Sequence, residues 1–134
     1  MSKTLDQYQI FVDGVTSDAS KDVGHLIISL QRLDEQGVDV ARLLTAFIGL
    51  AAEGGEGLDV VKKLVFHGKD YTVEVKQHLI KELGDNAWYW MNACIALGID
   101  PEEVLVRNIE KLESRYPGGK FDVEMSENRK EGDI

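Results

Sequence analysis

Two short acidic motifs carry the residues of this 134-residue chain best suited to chemistry: Glu53-Gly54-Gly55-Glu56 and Glu82-Leu83-Gly84-Asp85. Each places two carboxylates at i and i+3, neighbours on one helix face. Extending the first pair by threes and fours gives Ala46, Gly49, Glu53, Glu56, Val60 and Leu64. The second gives Val75, Leu79, Glu82, Asp85, Tyr89, Ala93 and Ala96. Both stripes are otherwise apolar or small, so the spacing predicts that all four carboxylates face inward. Four inward carboxylates repel one another and lose hydration. A hard divalent cation held by oxygen ligands relieves that cost, and Mg2+ or Mn2+ fits an all-carboxylate set. The spacing alone is a weak signal, because with 24 acidic residues chance supplies about four such pairs and the chain has six.

The elements that must position these groups are helices. Only two prolines occur, Pro101 and Pro117, and no segment alternates apolar and polar residues with the turns a sheet needs. The pattern predicts an all-α antiparallel bundle of about five helices: Leu5–Val15, Val23–Gln36, Asp39–Phe66, Thr72–Leu97 and one from Asp100 to Tyr116. The second should bury Leu26, Ile27, Leu30 and Leu33. Residues 16–22 read as a polar loop. The last helix has the clearest start, with Asp100 as cap, Pro101 at the first position and Glu102-Glu103 next. Gly54 and Gly55 inside the third helix cost about 1 kcal/mol each relative to Ala. They are accounted for if a neighbouring helix or a ligand approaches the backbone there; the alternative is a helix break. The domain is expected to span residues 1–119, with 120–134 an arm or tail.

Composition narrows the function classes. The 15 basic and 24 acidic residues give a net charge of −9, unfavourable for binding a nucleic-acid polymer. A small phosphorylated ligand stays compatible, because a bound cation reverses the local sign. The longest apolar run, Ala46–Ala52, is too short to span a membrane. One cysteine, Cys94, leaves no internal disulfide or Cys-based zinc cage and reads as a small buried residue. With no apolar signal region in Met1–Asp6, the expected location is the cytoplasm.

A longer set of words surrounds the acidic pairs. Gly49-Leu50-Ala51-Ala52 precedes the first pair, and Val61-Lys62-Lys63 and Phe66-His67-Gly68-Lys69 follow it. Trp88-Tyr89 follows the second pair, and the last helix carries Asn108-Ile109-Glu110-Lys111-Leu112 and Arg115-Tyr116-Pro117. Taken together, residues 40–117 resemble the MazG-type all-α nucleoside-triphosphate pyrophosphohydrolases. The resemblance implies that Glu53, Glu56, Glu82 and Asp85 are Mg2+ ligands. It implies hydrolysis of a (d)NTP between the α and β phosphates, giving monophosphate and pyrophosphate. Glu53 or Glu56 would be the base that positions water; the residues do not choose between them. It also implies a homodimer or homotetramer.

Supporting residues follow from the same face arguments. Lys63, seven residues after Glu56, is in reach of a phosphate or is simply solvated. Asn108, Lys111 and Arg115 share one face of the last helix and look like the family's phosphate-contacting motif. Tyr89 is a candidate sugar or base contact, or core packing. Trp88 and Trp90 read as core or subunit contacts, and His25, His67 and His78 are assigned no role. The helices of about 26–28 residues reach roughly 40 Å and carry apolar side chains that the shorter helices cannot cover, which points to a second copy. Two other classes compete. A carboxylate-bridged di-iron bundle needs Glu-x-x-His on two helices, where this chain has Glu56 and Asp85. A non-enzymatic helical interaction protein would carry its acidic pairs only as surface. The P-loop motif is absent.

Overall fold

The computed structural model describes residues 3–128. They form helices α1 (Lys3–Val15), α2 (Asp18–Lys21), α3 (Val23–Glu35), α4 (Val40–Phe66), α5 (Val73–Leu97), α6 (Pro101–Arg115) and α7 (Val123–Glu127), with no strand among them. The all-α expectation holds. The chain divides into two compact units, one ending at Ala41 and the other starting at Arg42.

In the first unit the expected polar loop contains a single helical turn, α2. Asp18 opens it and Lys21 closes it, each charge matched to the nearer end of the helix dipole. Asp22 then caps α3, its Oδ1 accepting from the His25 N–H at 3.0 Å and lying 2.9 Å from His25 Nδ1. These bonds hold the Asp22 carboxyl below its usual range. The predicted burial of α3 fails: Leu26 and Ile27 are exposed, and Leu30 and Leu33 are only half-buried. α2 packs against α3, and one turn of helix is too short to cover that face.

In the second unit α4 runs unbroken through Gly54 and Gly55, so the alternative of a helix break is overturned. Good helix formers on both sides carry the propensity cost of the two glycines. Beyond Phe66 the chain turns through Gly68 at φ 63°, a left-handed conformation that only glycine adopts at little cost. Thr72 starts α5 by accepting from the Val75 N–H at 3.4 Å. Gly98 ends it at φ 61°, with the Ile99 N–H donating to the Cys94 carbonyl at 3.1 Å. Asp100 caps α6 as expected, accepting from the Glu102 N–H at 2.8 Å. Within the expected tail, Asp122 caps the short α7, accepting from the Met125 N–H at 3.1 Å; the remainder of the tail, 129–134, lies outside the described residues.

α4 and α5 pair antiparallel. The Arg42 guanidinium donates to Asn92 Oδ1 at 3.2 Å, Gly49 lies under the Tyr89 ring, and Gly57 faces the Glu82 methylene. Partners thus move forward on one helix and backward on the other. The tightest point is Gly49, where an added Cβ would fall 2.2 Å from the Tyr89 ring. Ala46, Gly49, Ala93 and Cys94 are the buried small residues of this seam, and small side chains let the two backbones close together. Cys94 is free and buried, as its sequence context predicts.

Candidate metal centre and adjoining cleft

Glu82 is the only charged residue buried among the described residues, at 7% exposure. Its Oε1 lies 2.8 Å from His78 Nε2, one helical turn earlier. Its Oε2 is buried with no hydrogen-bond partner. An orphaned carboxylate oxygen in that position costs about 1–3 kcal/mol or more, so something outside the chain must satisfy it. Glu53 from α4 and Asp85 from α5 each bring an oxygen to the same point, and with one from Glu82 these atoms lie within 4.8 Å of one another.

The electrostatics agree with the crowding. The Glu53 carboxyl is pushed above its ordinary range, first by burial, then by the charges of Glu56, Asp85 and Glu82 and by its hydrogen bond to Glu82. A hard cation with oxygen ligands reverses each of these effects and supplies a partner for Glu82 Oε2. The residues present therefore fit a divalent metal.

The expectation that all four carboxylates face inward is corrected in part. Glu82 is buried and Glu53 half-buried, whereas Glu56 and Asp85 are exposed. Glu56 stands outside the three-oxygen cluster and lines a 420 Å³ cleft with Ala52, Gly55, Asp59, Val60, Lys63 and His78. A three-residue step rotates a helix by about 300°, not a full turn, so the second acid of each pair swings toward the edge of the seam.

The other candidates are placed as follows. Lys63 lines the cleft, where its ammonium pairs with Asp59; Lys62 Nζ approaches the same carboxylate at 2.5 Å. The two lysines hold the Asp59 carboxyl down at about 2. Tyr89 is half-buried, seated over Gly49 and edge-on to Trp88 at 4.8 Å. Trp88 itself is exposed and Trp90 half-buried. Asn108, Lys111 and Arg115 sit on α6 and none of them lines the cleft. Sequence reasoning missed His78, although its i,i+4 spacing from Glu82 was the available signal.

Against known families, residues 42–119 match the model of the MazG nucleotide pyrophosphohydrolase domain. The chain belongs to the MazG family. The match begins where the second compact unit begins and takes in α5, α6 and nearly all of α4, hence every carboxylate of the cluster. MazG proteins are nucleotide pyrophosphohydrolases of a divalent-metal-dependent kind, in keeping with the carboxylates gathered here. No curated protein and no solved structure matches this MazG chain. Among its described residues, no helix is long and apolar enough to cross a membrane.

Proposed function

We propose that this protein is a Mg2+-dependent (d)NTP pyrophosphohydrolase that cleaves between the α and β phosphates, releasing (d)NMP and pyrophosphate. The observation that carries the reading is the orphaned Oε2 of buried Glu82 beside Glu53 and Asp85. Glu53, Glu82 and Asp85 would hold Mg2+, with Mn2+ as a substitute, and Glu56 would complete the set or orient water. When bound, the metal neutralises phosphate charge and acidifies water. Glu56 is the better base of the two glutamates, because it stands outside the cluster on the cleft wall and keeps its oxygens free for a water. Lys63 supplies positive charge to the phosphates from the same wall. Asn108, Lys111, Arg115 and Tyr89 are proposed as outer substrate contacts.

The working unit is proposed to be a homodimer or homotetramer. Phe47, Ile48 and Leu58 of α4 and Leu83, Trp88 and Ile95 of α5 are all more than half exposed, and apolar side chains gathered on paired helices mark an association surface. Sedimentation equilibrium at micromolar concentration should show a multiple of 15.0 kDa. A fully active 15.0 kDa species would refute the oligomer.

The reaction is tested with a panel of NTPs and dNTPs in Mg2+, following pyrophosphate release. In ¹⁸O-labelled water the label should enter the monophosphate, and primary release of orthophosphate would refute the cleavage position. Mg2+ should also raise the melting temperature, whereas acids that were only surface charge would leave it nearly unchanged.

A further inference from the structure

Two cavities meet at His78. The 420 Å³ cleft extends from Ala52, Gly55 and Glu56 to Lys63 and His78. A second space of 170 Å³ is bounded by Val60, Lys63, Leu64, Lys69, Val75 and His78. They share Val60, Lys63 and His78, so one groove leads from the carboxylates to Lys69. Its charge changes sign along the way, from Glu56 and the cluster at one end to Lys63, His78 and Lys69 at the other.

We propose that this basic end holds the two departing phosphates of a nucleoside triphosphate, and that Lys69 and His78 thereby set the preference for triphosphate over shorter nucleotides. The inference rests on the function proposed above and adds residues and a polarity to it. At 170 Å³ the space is smaller than the roughly 300 Å³ that whole-ligand pockets start from. It suits a phosphate group rather than a nucleoside. The rest of its wall is Val60, Leu64 and Val75, and an apolar wall strengthens the attraction between lysine and phosphate.

Local backbone chemistry explains why Lys69 is there. The His67 and Lys69 N–H groups both donate to the Lys63 carbonyl, at 3.2 and 3.3 Å. Gly68 makes that reversal by adopting φ 63°. The turn therefore brings Lys69 back beside Lys63, and among the described residues its ammonium makes no ion pair. His78 stands at the junction, its Nε2 on Glu82 and its ring on both cavities. A ligand bridging metal and lysines must pass it.

The test is calorimetric titration of inorganic pyrophosphate, and separately of nucleoside monophosphate, into the Mg2+-loaded wild type, Lys69→Gln, His78→Gln and Lys69→Arg, alongside the KM for NTP. Each lost charge-assisted bond should weaken pyrophosphate about tenfold or more. KM should rise similarly, monophosphate affinity should hold, and Lys69→Arg should restore most of the loss. Unchanged pyrophosphate affinity in both Gln variants, equal weakening of the monophosphate, or no pyrophosphate binding by the wild type would overturn the proposal. If no NTP is cleaved but pyrophosphate binding still depends on Lys69, the reaction fails and the phosphate site stands. If NTP is cleaved and both Gln variants behave as wild type, this inference alone fails.

Discussion

Along the α4–α5 pair, the stretch around Gly49 and Tyr89 and the stretch around Glu53 and Glu82 lie about one helical turn apart, yet opposite rules pack them. At the first, small residues and an aromatic ring close the seam until no methyl group fits under the ring. At the second, the seam holds charge, and one carboxylate oxygen is buried without a partner. The closed stretch fixes the spacing of the helices, and the charged stretch uses that spacing to keep three carboxylates from separating. Repulsion that would part the chains in isolation becomes a preformed receptor for a cation, because the rigid neighbour does not yield.

The largest break in that contrast comes from the charged stretch. Glu53→Gln, Glu82→Gln and Asp85→Asn should each lower Mg2+-dependent turnover about 100-fold or more, the equivalent of several kcal/mol of lost charge stabilisation. Helical circular dichroism should persist. The metal-free Glu53→Gln protein should melt no lower than wild type, since one repelling charge has gone. Near-normal activity in all three variants would show that the cluster is not the centre.

The closed stretch is broken with less energy and by a different substitution. Gly49→Ala drives a methyl group into the Tyr89 ring and should destabilise by about 1–3 kcal/mol. Gly54→Ala, one and a half turns on in the same helix, meets nothing within 4 Å and should stabilise by about 1 kcal/mol. Chemical denaturation of the two variants reads both signs. A destabilising Gly54→Ala would mean that a second copy of the chain approaches α4 there.

Much of this was legible before any coordinates. The helix boundaries followed from Asp100-Pro101, Thr72, Gly68 and Gly98, since caps and breakers act locally and a sequence displays them directly. The acidic pairs were legible as stripes. Which member of each pair turns inward was not, because that depends on how α4 and α5 rotate about the Gly49–Tyr89 contact. His78 was passed over because the reading sought metal-ligand spacing and not a partner for a carboxylate. Gly54 and Gly55 read as sites of close approach, but within this chain that role belongs to Gly49, whose neighbour Tyr89 lies 40 positions away. Pairings that distant leave no local signature. The burial expected for α3 likewise needed knowledge of what packs on it.

The smallest effect concerns how pH acts on the two ends of the cleft, and the signs differ. Asp59, held at about 2 against an ordinary 3.8 by its two lysines, contributes stability that is present above the ordinary value and lost as the pH falls toward 2. Glu53 is shifted the other way. In the metal-free protein its contribution is complete at low pH and declines as the pH rises through its raised value, because folding then traps a charge that repels its neighbours. Melting temperatures across pH 2–8 for wild type, Asp59→Asn and Glu53→Gln separate the two. Asp59→Asn should flatten only the acid limb, by a modest amount, since the pair is 40–50% exposed and screened by solvent. Glu53→Gln should remove part of the decline above the ordinary carboxylate range, and saturating Mg2+ should remove it from the wild type as well. A decline that survives both Glu53→Gln and Mg2+ would place the repulsion elsewhere than in this cluster.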